Sequence, residues 1–186
     1  AGISVAPILT ALGVGGAALA LGLQETLSNV FSGLQLILSR QIRIGDFVRI
    51  AEGDEGKVTD INFRFATIQT LSGSTIIMPN QKLASAVLTN YNMPAQEIAI
   101  SIPVGVSYAS DLDMVERVTL EVANEVMNAF DHGVESDPAV RFHTFGDSAI
   151  EFNVVLRTSS FVNQFLLKHE FIKALTRRYR EEGIDI

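Results

Sequence analysis

The feature that most constrains this chain is a run of 21 residues without a charged side chain, from Ile3 to Leu23. A helix of this length, rising about 1.5 Å per residue, would be roughly 30 Å long and would cross the hydrocarbon core of a bilayer. No basic segment precedes the run and no polar cleavage region follows it, so the pattern is not that of a signal peptide. The sequence therefore predicts a membrane-spanning helix. Because the first residue is not Met, we expect the chain to be part of a longer protein.

Small residues recur on several faces of this predicted helix. Gly and Ala pairs spaced four residues apart let helix backbones approach closely in lipid, where the hydrophobic effect does not drive association. Small faces on several sides indicate a ring in which each helix has two neighbours, and a generic packed membrane helix is the alternative. The pairs are Ala11/Gly15, Gly13/Ala17, Gly16/Ala20 and Ala18/Gly22.

A polar interruption at residues 24–26 predicts a kink and the start of a second helix, with Thr26 or Ser28 as its cap. The following stretch, 27–38, has helical amphipathic spacing and is predicted to lie near the membrane interface. Basic residues just after a membrane helix favour the cytoplasmic side, so Arg40 and Arg43 place everything after Arg40 in the cytoplasm. The apolar positions of the second helix are Leu27, Val30, Phe31, Leu34 and Leu38.

From Ile44 onward the hydrophobic period changes to two, which predicts strands. Five short strands within about 50 residues indicate a small β-barrel domain over residues 40–94. A hairpin turn at Ser72–Gly73 joins the third and fourth strands. Pro79 stops the fourth strand, and Asn80 is predicted to cap a short helical turn that runs to Leu83. The predicted strands are 47–50, 57–61, 66–70, 75–78 and 87–91.

Residues 95–186 show a different pattern, in which a long strand over 98–106 precedes an amphipathic helix capped by Asp111. Two more strands, at 140–145 and 150–157, precede a second helix over 161–182 that stops at Gly183. The order β-α-β-β-α resembles part of a ferredoxin-like layer. The side chains of the second helix predicted to face inward are Phe165, Ile172, Leu175 and Tyr179.

Charge and composition exclude several classes of function. The net charge of −7 argues against a general nucleic-acid-binding role, because phosphate contacts need clustered Lys and Arg. Residues 1–39 contain one ionisable side chain, Glu25, whereas residues 95–186 contain eight basic and fifteen acidic side chains. The absence of Cys excludes disulfides, Cys-ligated zinc and thiol catalysis.

No catalytic or metal-binding set emerges, so we predict neither an enzyme nor a bound cofactor or metal. The segment 13–18 matches the dinucleotide pattern G-x-G-x-x-A, but no acidic residue follows at the distance that ribose binding requires. The three histidines share no ligand spacing, and caps or solvated loops explain the two carboxylate pairs. These residues are His132, His143 and His169, and the pairs Asp46/Glu52 and Asp111/Asp113.

Several motifs follow one another in a fixed order along essentially the whole chain. The Gly/Ala helix ends in Gly22-Leu23-Gln24, and Leu27-Ser28-Asn29 opens a segment that continues to Gly33. Arg40 and Ile44-Gly45-Asp46 follow, and then Gly56-Lys57-Val58 and Met78-Pro79-Asn80 with Leu83. Motifs of this kind in this order resemble the small-conductance mechanosensitive channel (MscS) family.

This resemblance implies a homoheptamer in the cell membrane, either an inner membrane or an organelle membrane of bacterial type. Its kinked last transmembrane helix, residues 1–39, would line a hydrophobic pore above an Sm-like β domain and a cytoplasmic α/β domain. The implied function is tension-gated passage of ions and small osmolytes during hypo-osmotic shock, with membrane lipids as further partners. Ala17 and Leu21 would ring the constriction. The implied helix-packing and hinge residues are Gly13, Gly16, Ala18, Ala20, Gly22, Gln24, Glu25 and Gly33.

The chain also departs from the family pattern. Ala17 lies where well-known members carry a large apolar residue, Glu25 lies where some have a hinge glycine, and Gln41 lies where a proline often follows Arg40. An Sm-like RNA-binding or scaffold ring anchored to the membrane is the alternative function. The negative net charge and the scarcity of aromatic residues near Lys and Arg argue against RNA.

Overall fold

The computed structural model describes residues 6–51, 53–94, 97–130 and 136–186. The chain separates into two compact units, one ending at Asn90 and the other beginning at Tyr91. The predicted segments 1–39 and 40–94 thus fall largely within one unit. The elements of the first unit are α1 (Ala6–Ser39), β1 (Phe47–Ile50), β2 (Glu55–Ile61), β3 (Phe65–Gln69), β4 (Thr75–Pro79), α2 (Asn80–Ser85) and β5 (Leu88–Asn90). Those of the second are β6 (Ile98–Val106), α3 (Leu112–Phe130), β7 (Ala139–Phe145), β8 (Ile150–Thr158) and α4 (Asn163–Glu182).

The first helix, α1, runs without interruption for 34 residues. The predicted break at residues 24–26 is therefore wrong, and neither Thr26 nor Ser28 caps a second helix. The physical reason is that Gln and Glu are good helix formers, so a polar patch alone does not end a helix that lacks proline there. The helix ends instead at Ser39, and the next residue, Arg40, has a φ of +55°, the left-handed conformation that commonly follows a helix C-terminus.

The five strands of the first unit form one antiparallel sheet with the order β4-β3-β2-β1-β5. The predicted strands and the Ser72–Gly73 hairpin are confirmed, and Gly73 has the positive φ of +86° that the turn requires. Within the described strands no ladder joins β4 to β5, so the expected barrel is not closed by hydrogen bonds. One reason is that β5 has only three residues. The core packed on this sheet consists of Leu36, Ile42, Val48, Ile50, Val58, Ala66, Ile68, Met78 and Leu83.

The second unit contains a three-stranded antiparallel sheet with the order β6-β8-β7. The predicted face of β6 is confirmed, because Ile100, Ile102 and Val106 are buried and Val104 is half-buried, whereas Ser101 and Pro103 on the other face are exposed. Asp111 caps α3 as predicted, since its Oδ1 accepts the backbone N–H of Asp113 at 3.0 Å.

The last helix, α4, buries a different stripe from the predicted one. Leu175 and Tyr179 are buried as expected, whereas Phe165 and Ile172 are exposed. Leu167 and Phe171 take the inward places, because the side chains at 167, 171, 175 and 179 follow one another at four-residue spacing on one face. Gly183 ends the helix with a φ of +70°, as predicted.

Candidate functional site

The surface of α1 is the most distinctive feature of the first unit. Among the described residues α1 is the one helix long and apolar enough to cross a membrane, and none of its most apolar stretch is buried within the chain. Leu21 has 72% of its surface exposed. An apolar surface of this size is expected to contact lipid or other protein, because its exposure to water is energetically unfavourable.

The predicted packing residues of α1 face open space within one chain. A Cβ atom added at Gly13, Gly16 or Gly22 would meet no atom within 4 Å. Ala18 and Ala20 are likewise exposed. Ala17 and Leu21 are one helical turn apart and therefore share a face. These residues are available for contact with other helices, and their assignments as packing and constriction residues remain predictions.

A buried polar junction joins the second half of α1 to α2. Asn29 is 1% exposed and Asn80 is fully buried. Oδ1 of Asn29 accepts the backbone N–H of Gln81 at 3.0 Å. Nδ2 of Asn80 donates to the backbone oxygen of Asn62 at 2.7 Å and to that of Asn29 at 3.4 Å. Because buried amides need hydrogen-bond partners, these bonds fix the register between α1 and the β domain.

The structure corrects the predicted role of Asn80. Pro79 is the N-cap residue of α2, and no side chain caps this helix by a hydrogen bond. Asn80 instead directs its side chain away from its own helix, towards α1 and the end of β2. Pro79 and Asn80 still lie where β4 turns into α2, at the position predicted for them.

Gly33 allows the close approach of α1 to this junction. A Cβ atom at this position would overlap Nδ2 of Asn80 and would lie 3.2 Å from the backbone oxygen of Asn62. Gly33 lies one helical turn after Asn29 and is itself buried. In this structure Gly33 therefore provides space for a helix contact within an unbroken helix.

The two residues predicted at the kink lie beside a polar recess. Gln24 and Glu25 are exposed on the unbroken helix. Together with Leu21, Ser28 and Gln81 they line a recess of about 250 Å³ between α1 and α2. The backbone oxygen of Glu25 accepts a hydrogen bond from Nδ2 of Asn29 at 2.9 Å.

The predicted boundary residues Arg40 and Arg43 follow α1 and are both exposed. They border a cleft of about 430 Å³ whose other lining residues are Ile37, Ile42, Ile44 and Ile61. The backbone N–H of Arg43 donates a hydrogen bond to Oδ2 of Asp46 at 2.9 Å, and Nδ2 of Asn90 donates to the same oxygen at 2.7 Å. Asp46 therefore stabilises the loop between α1 and β1, which is a structural role.

The described part of the chain contains no candidate metal centre. No group of three or more His, Asp or Glu side chains there could hold a metal ion. His143 contacts Thr144, and His169 lies 3.7 Å from Glu170. Glu52 and His132 lie outside the described residues. Burial raises the pKa of Tyr179, and its hydrogen bond with Thr119 partly opposes that rise.

Sequence reasoning missed the roles of Asn29 and Asn62. Asn29 was part of the motif that carries the family resemblance, but no contact was assigned to it. The available signal was an asparagine inside an amphipathic helix, four residues before a glycine. Its partner could not be inferred, because Asn80 lies 51 residues further along the chain.

Comparison with known families covers most of the chain. The β-domain of mechanosensitive ion channels matches residues 25–93, and the C-terminal domain of the mechanosensitive ion channel MscS matches residues 100–186.

Similar proteins carry the same family name. The small-conductance mechanosensitive channel MscMJ of Methanocaldococcus jannaschii is 26% identical, over 100% of this chain and 52% of that protein. The mechanosensitive channel MscK of Escherichia coli is 34% identical, over 80% of this chain and 13% of that protein. An uncharacterized MscS family protein of Haemophilus influenzae is 32% identical, over 96% of this chain and 16% of that protein. The chain thus spans about half or less of these relatives.

Solved structures agree in fold. The crystal structure of Helicobacter pylori MscS in its closed state has a TM-score of 0.72 at 26% identity, covering 100% of this chain and 71% of that chain. Arabidopsis thaliana MSL1, at 23% identity, has a TM-score of 0.67 and covers 99% of this chain and 66% of that chain. An N-terminal apolar helix followed by β-rich domains is therefore the architecture of a mechanosensitive channel subunit. The chain belongs to the MscS family of mechanosensitive channels.

Proposed function

We propose that this chain is the pore-forming part of a tension-gated channel, assembled from seven copies with α1 of each copy lining the pore. The observation that carries the proposal is the exposed, uncharged surface of the first part of α1, from Ala6 to Leu23, where the glycines at 13, 15, 16 and 22 would meet no described atom within 4 Å if they carried a Cβ. In lipid, such small-residue faces are satisfied by close contact with other helices. The family to which the chain belongs supports the same arrangement.

The proposed gate is hydrophobic, with Ala17 and Leu21 of each copy forming the constriction. A narrow apolar ring excludes water, so an ion crossing it faces a large desolvation barrier although no plug blocks the way. Membrane tension favours the state with the larger area in the membrane plane. If the open state separates the pore helices, tension shifts the population towards it. The permeating species would be ions and small osmolytes released during hypo-osmotic shock.

The rest of the chain would form the cytoplasmic part of the assembly, starting after Arg40. Two basic residues directly after α1, Arg40 and Arg43, support this orientation. The β domain is proposed to be Sm-like, supported by the strand order β4-β3-β2-β1-β5. The second unit is proposed to be ferredoxin-like, supported by its three-stranded sheet and two helices. The membrane would be a bacterial inner membrane or an organelle membrane of bacterial type.

The test is patch-clamp recording of the full-length parent protein in liposomes under graded suction. Current steps of uniform conductance that appear with tension, together with a heptamer by native mass, are the expected result. If a ring-shaped oligomer is confirmed but no current appears at any tension, tension gating is contradicted and a membrane-anchored scaffold ring is the remaining function. If neither current nor an oligomer is found, the proposal that the chain forms a pore is contradicted.

A further inference from the structure

Glu25 is the one ionisable side chain among residues 1–39, and it lies in the interior of α1. It is exposed, and in the described part of the chain no Lys, Arg or His makes an ion pair with its carboxylate. Its position in mid-helix also excludes a capping role, because only the first turn has free backbone N–H groups. Among the residues that the structure describes, this carboxylate therefore has no structural partner.

The position of Glu25 relative to Leu21 is informative. Four residues along a helix correspond to about 6 Å of rise and return to nearly the same face. Both residues border the same polar recess of about 250 Å³, which Gln24, Ser28 and Gln81 complete. On this face, α1 changes within one turn from an apolar surface to a polar one that carries a negative charge.

Lipid contact would be unfavourable for this side chain. The uncharged run from Ile3 to Leu23 has the length that crosses a bilayer core, so Glu25 lies just beyond the end of that run. A carboxylate in or near a membrane span faces water or a polar partner, because its burial in hydrocarbon costs several kcal/mol. Since no ion pair or hydrogen bond of its carboxylate occurs among the described residues, contact with water is what would satisfy this side chain in an assembly of several copies.

We propose that Glu25 determines the charge selectivity of the pore, with one carboxylate from each copy forming a ring that favours small cations over anions. This proposal rests on the proposed function, in which α1 lines the pore of a symmetric ring. Rings of acidic side chains are the usual means of cation selection in channels. In a narrow aqueous passage beside an apolar constriction, several convergent charges raise the local cation concentration and repel anions more strongly than charges on an open surface.

The experiment measures reversal potentials of the full-length protein in liposome patches under suction, with a steep KCl gradient across the membrane. Wild type is expected to reverse towards the potassium equilibrium potential. Glu25→Gln, which keeps the size and polarity of the side chain, should lower the potassium-to-chloride permeability ratio by about threefold or more. Glu25→Asp should keep the wild-type preference, and Glu25→Lys should reverse it.

The matched control is Glu125→Gln, which removes one exposed carboxylate per copy from α3 in the acidic second unit. An unchanged reversal potential in this control, with a shift in Glu25→Gln, supports the assignment. Tension-gated current whose reversal potential is the same in wild type, Glu25→Gln and Glu25→Lys would overturn it and leave the proposed channel function intact. Equal shifts in both neutralised variants would also overturn it, because selectivity would then follow total charge. Absence of any tension-gated current in wild type would instead remove the proposed function.

Discussion

Two asparagines and one glycine show how much depends on single residues in the first unit. Asn29, Gly33 and Asn80 lie close together, and a Cβ atom added at Gly33 would overlap the Asn80 amide. Their hydrogen bonds join backbone and side chains from α1, α2 and the end of β2. A close contact of this kind transmits displacement of α1 to the β domain, because packed interiors compress little.

Replacing Gly33 by alanine tests this contact. The new methyl group would overlap the Asn80 amide, so we expect Gly33→Ala to lower the free energy of unfolding by about 1–3 kcal/mol. Denaturant unfolding of the purified protein measures the change. A double-mutant cycle with Asn80→Ala provides the control, because removing the amide makes space for the methyl group. An equal effect of Gly33→Ala in both backgrounds would contradict the contact.

Tyr179 gives a prediction about alkaline pH. Its hydroxyl forms a hydrogen bond with the hydroxyl of Thr119, which also donates to the backbone oxygen of Val115 at 2.6 Å. Burial raises the pKa of Tyr179 above the ordinary value of about 10. Above pH 10 the unfolded chain therefore loses this proton while the folded chain retains it. Fewer protons bound in the unfolded state means that stability falls as pH rises.

Tyr179→Phe should remove that contribution to the alkaline loss of stability. At neutral pH the variant should be less stable by about 1 kcal/mol, because one hydrogen bond is lost while the aromatic packing remains. Thermal unfolding of both proteins at neutral pH and above pH 10 provides the comparison. A decline with pH of the same size in both proteins would show that the titration of Tyr179 has no role.

At the scale of elements, α1 combines two environments in one helix. Its first part has no buried residue, whereas its second part buries Asn29, Gly33 and Leu36 against the β domain. The apolar stripe predicted to define the second part, which includes Phe31 and Leu38, remains exposed in a single chain. That exposed stripe is available for the membrane interface or for neighbouring copies, and its interfacial role stays a prediction.

Substitutions at Glu25 can also test whether α1 is continuous through this residue. Glycine in a helix interior is less favourable than ordinary residues by up to about 1 kcal/mol. Glu25→Gly should therefore speed backbone hydrogen exchange over residues 21–29 by about fivefold, since exchange reports local opening. Glu25→Ala is the control and should leave exchange unchanged or slower. Rapid exchange over this segment already in wild type would indicate that the helix is interrupted there.

At the scale of the whole molecule, charge divides the chain. Residues 1–39 contain one ionisable side chain, whereas residues 95–186 contain fifteen acidic and eight basic ones. This division suits a protein with one segment in lipid and the remainder in water. Among the described elements none covers the most apolar stretch of α1, so the function of the molecule depends on what surrounds that stretch.

A polar side chain at the proposed constriction should change gating of the assembled channel. Leu21→Ser hydrates an apolar ring, so we expect a lower tension threshold and more closed-state leak in patch-clamp recordings. Leu19→Ser is the matched control, because its side chain lies on the opposite side of α1 and is similarly exposed. Wild-type threshold and leak in Leu21→Ser would show that Leu21 is not the gate. The same changes in Leu19→Ser alone would place the pore on the other face.

The sequence alone was sufficient for much of the architecture. The apolar span, the five strands of the first unit, the β6 face, the Asp111 cap and the Gly183 stop follow from local periodicity and from residues with strong positional preferences. The family could also be inferred, because its motifs are local and occur in a fixed order. These features depend on neighbours within a few positions, which the sequence displays directly.

The tertiary structure decided what depends on distant residues. The polar residues at 24–26 suggested a break in the helix, yet α1 continues through them. Gln and Glu interrupt the apolar pattern but are good helix formers, so they do not end the helix. Two sets of apolar residues in α4 have the spacing of one helix face, so the sequence could not distinguish them. Packing in the hydrophobic core of the second unit buries the set that contains Leu167 and Phe171. The junction of Asn29 with Asn80 joins positions 51 residues apart, so only the folded chain could bring these amides together. Local preferences thus determined the elements, and long-range packing determined which of their faces meet.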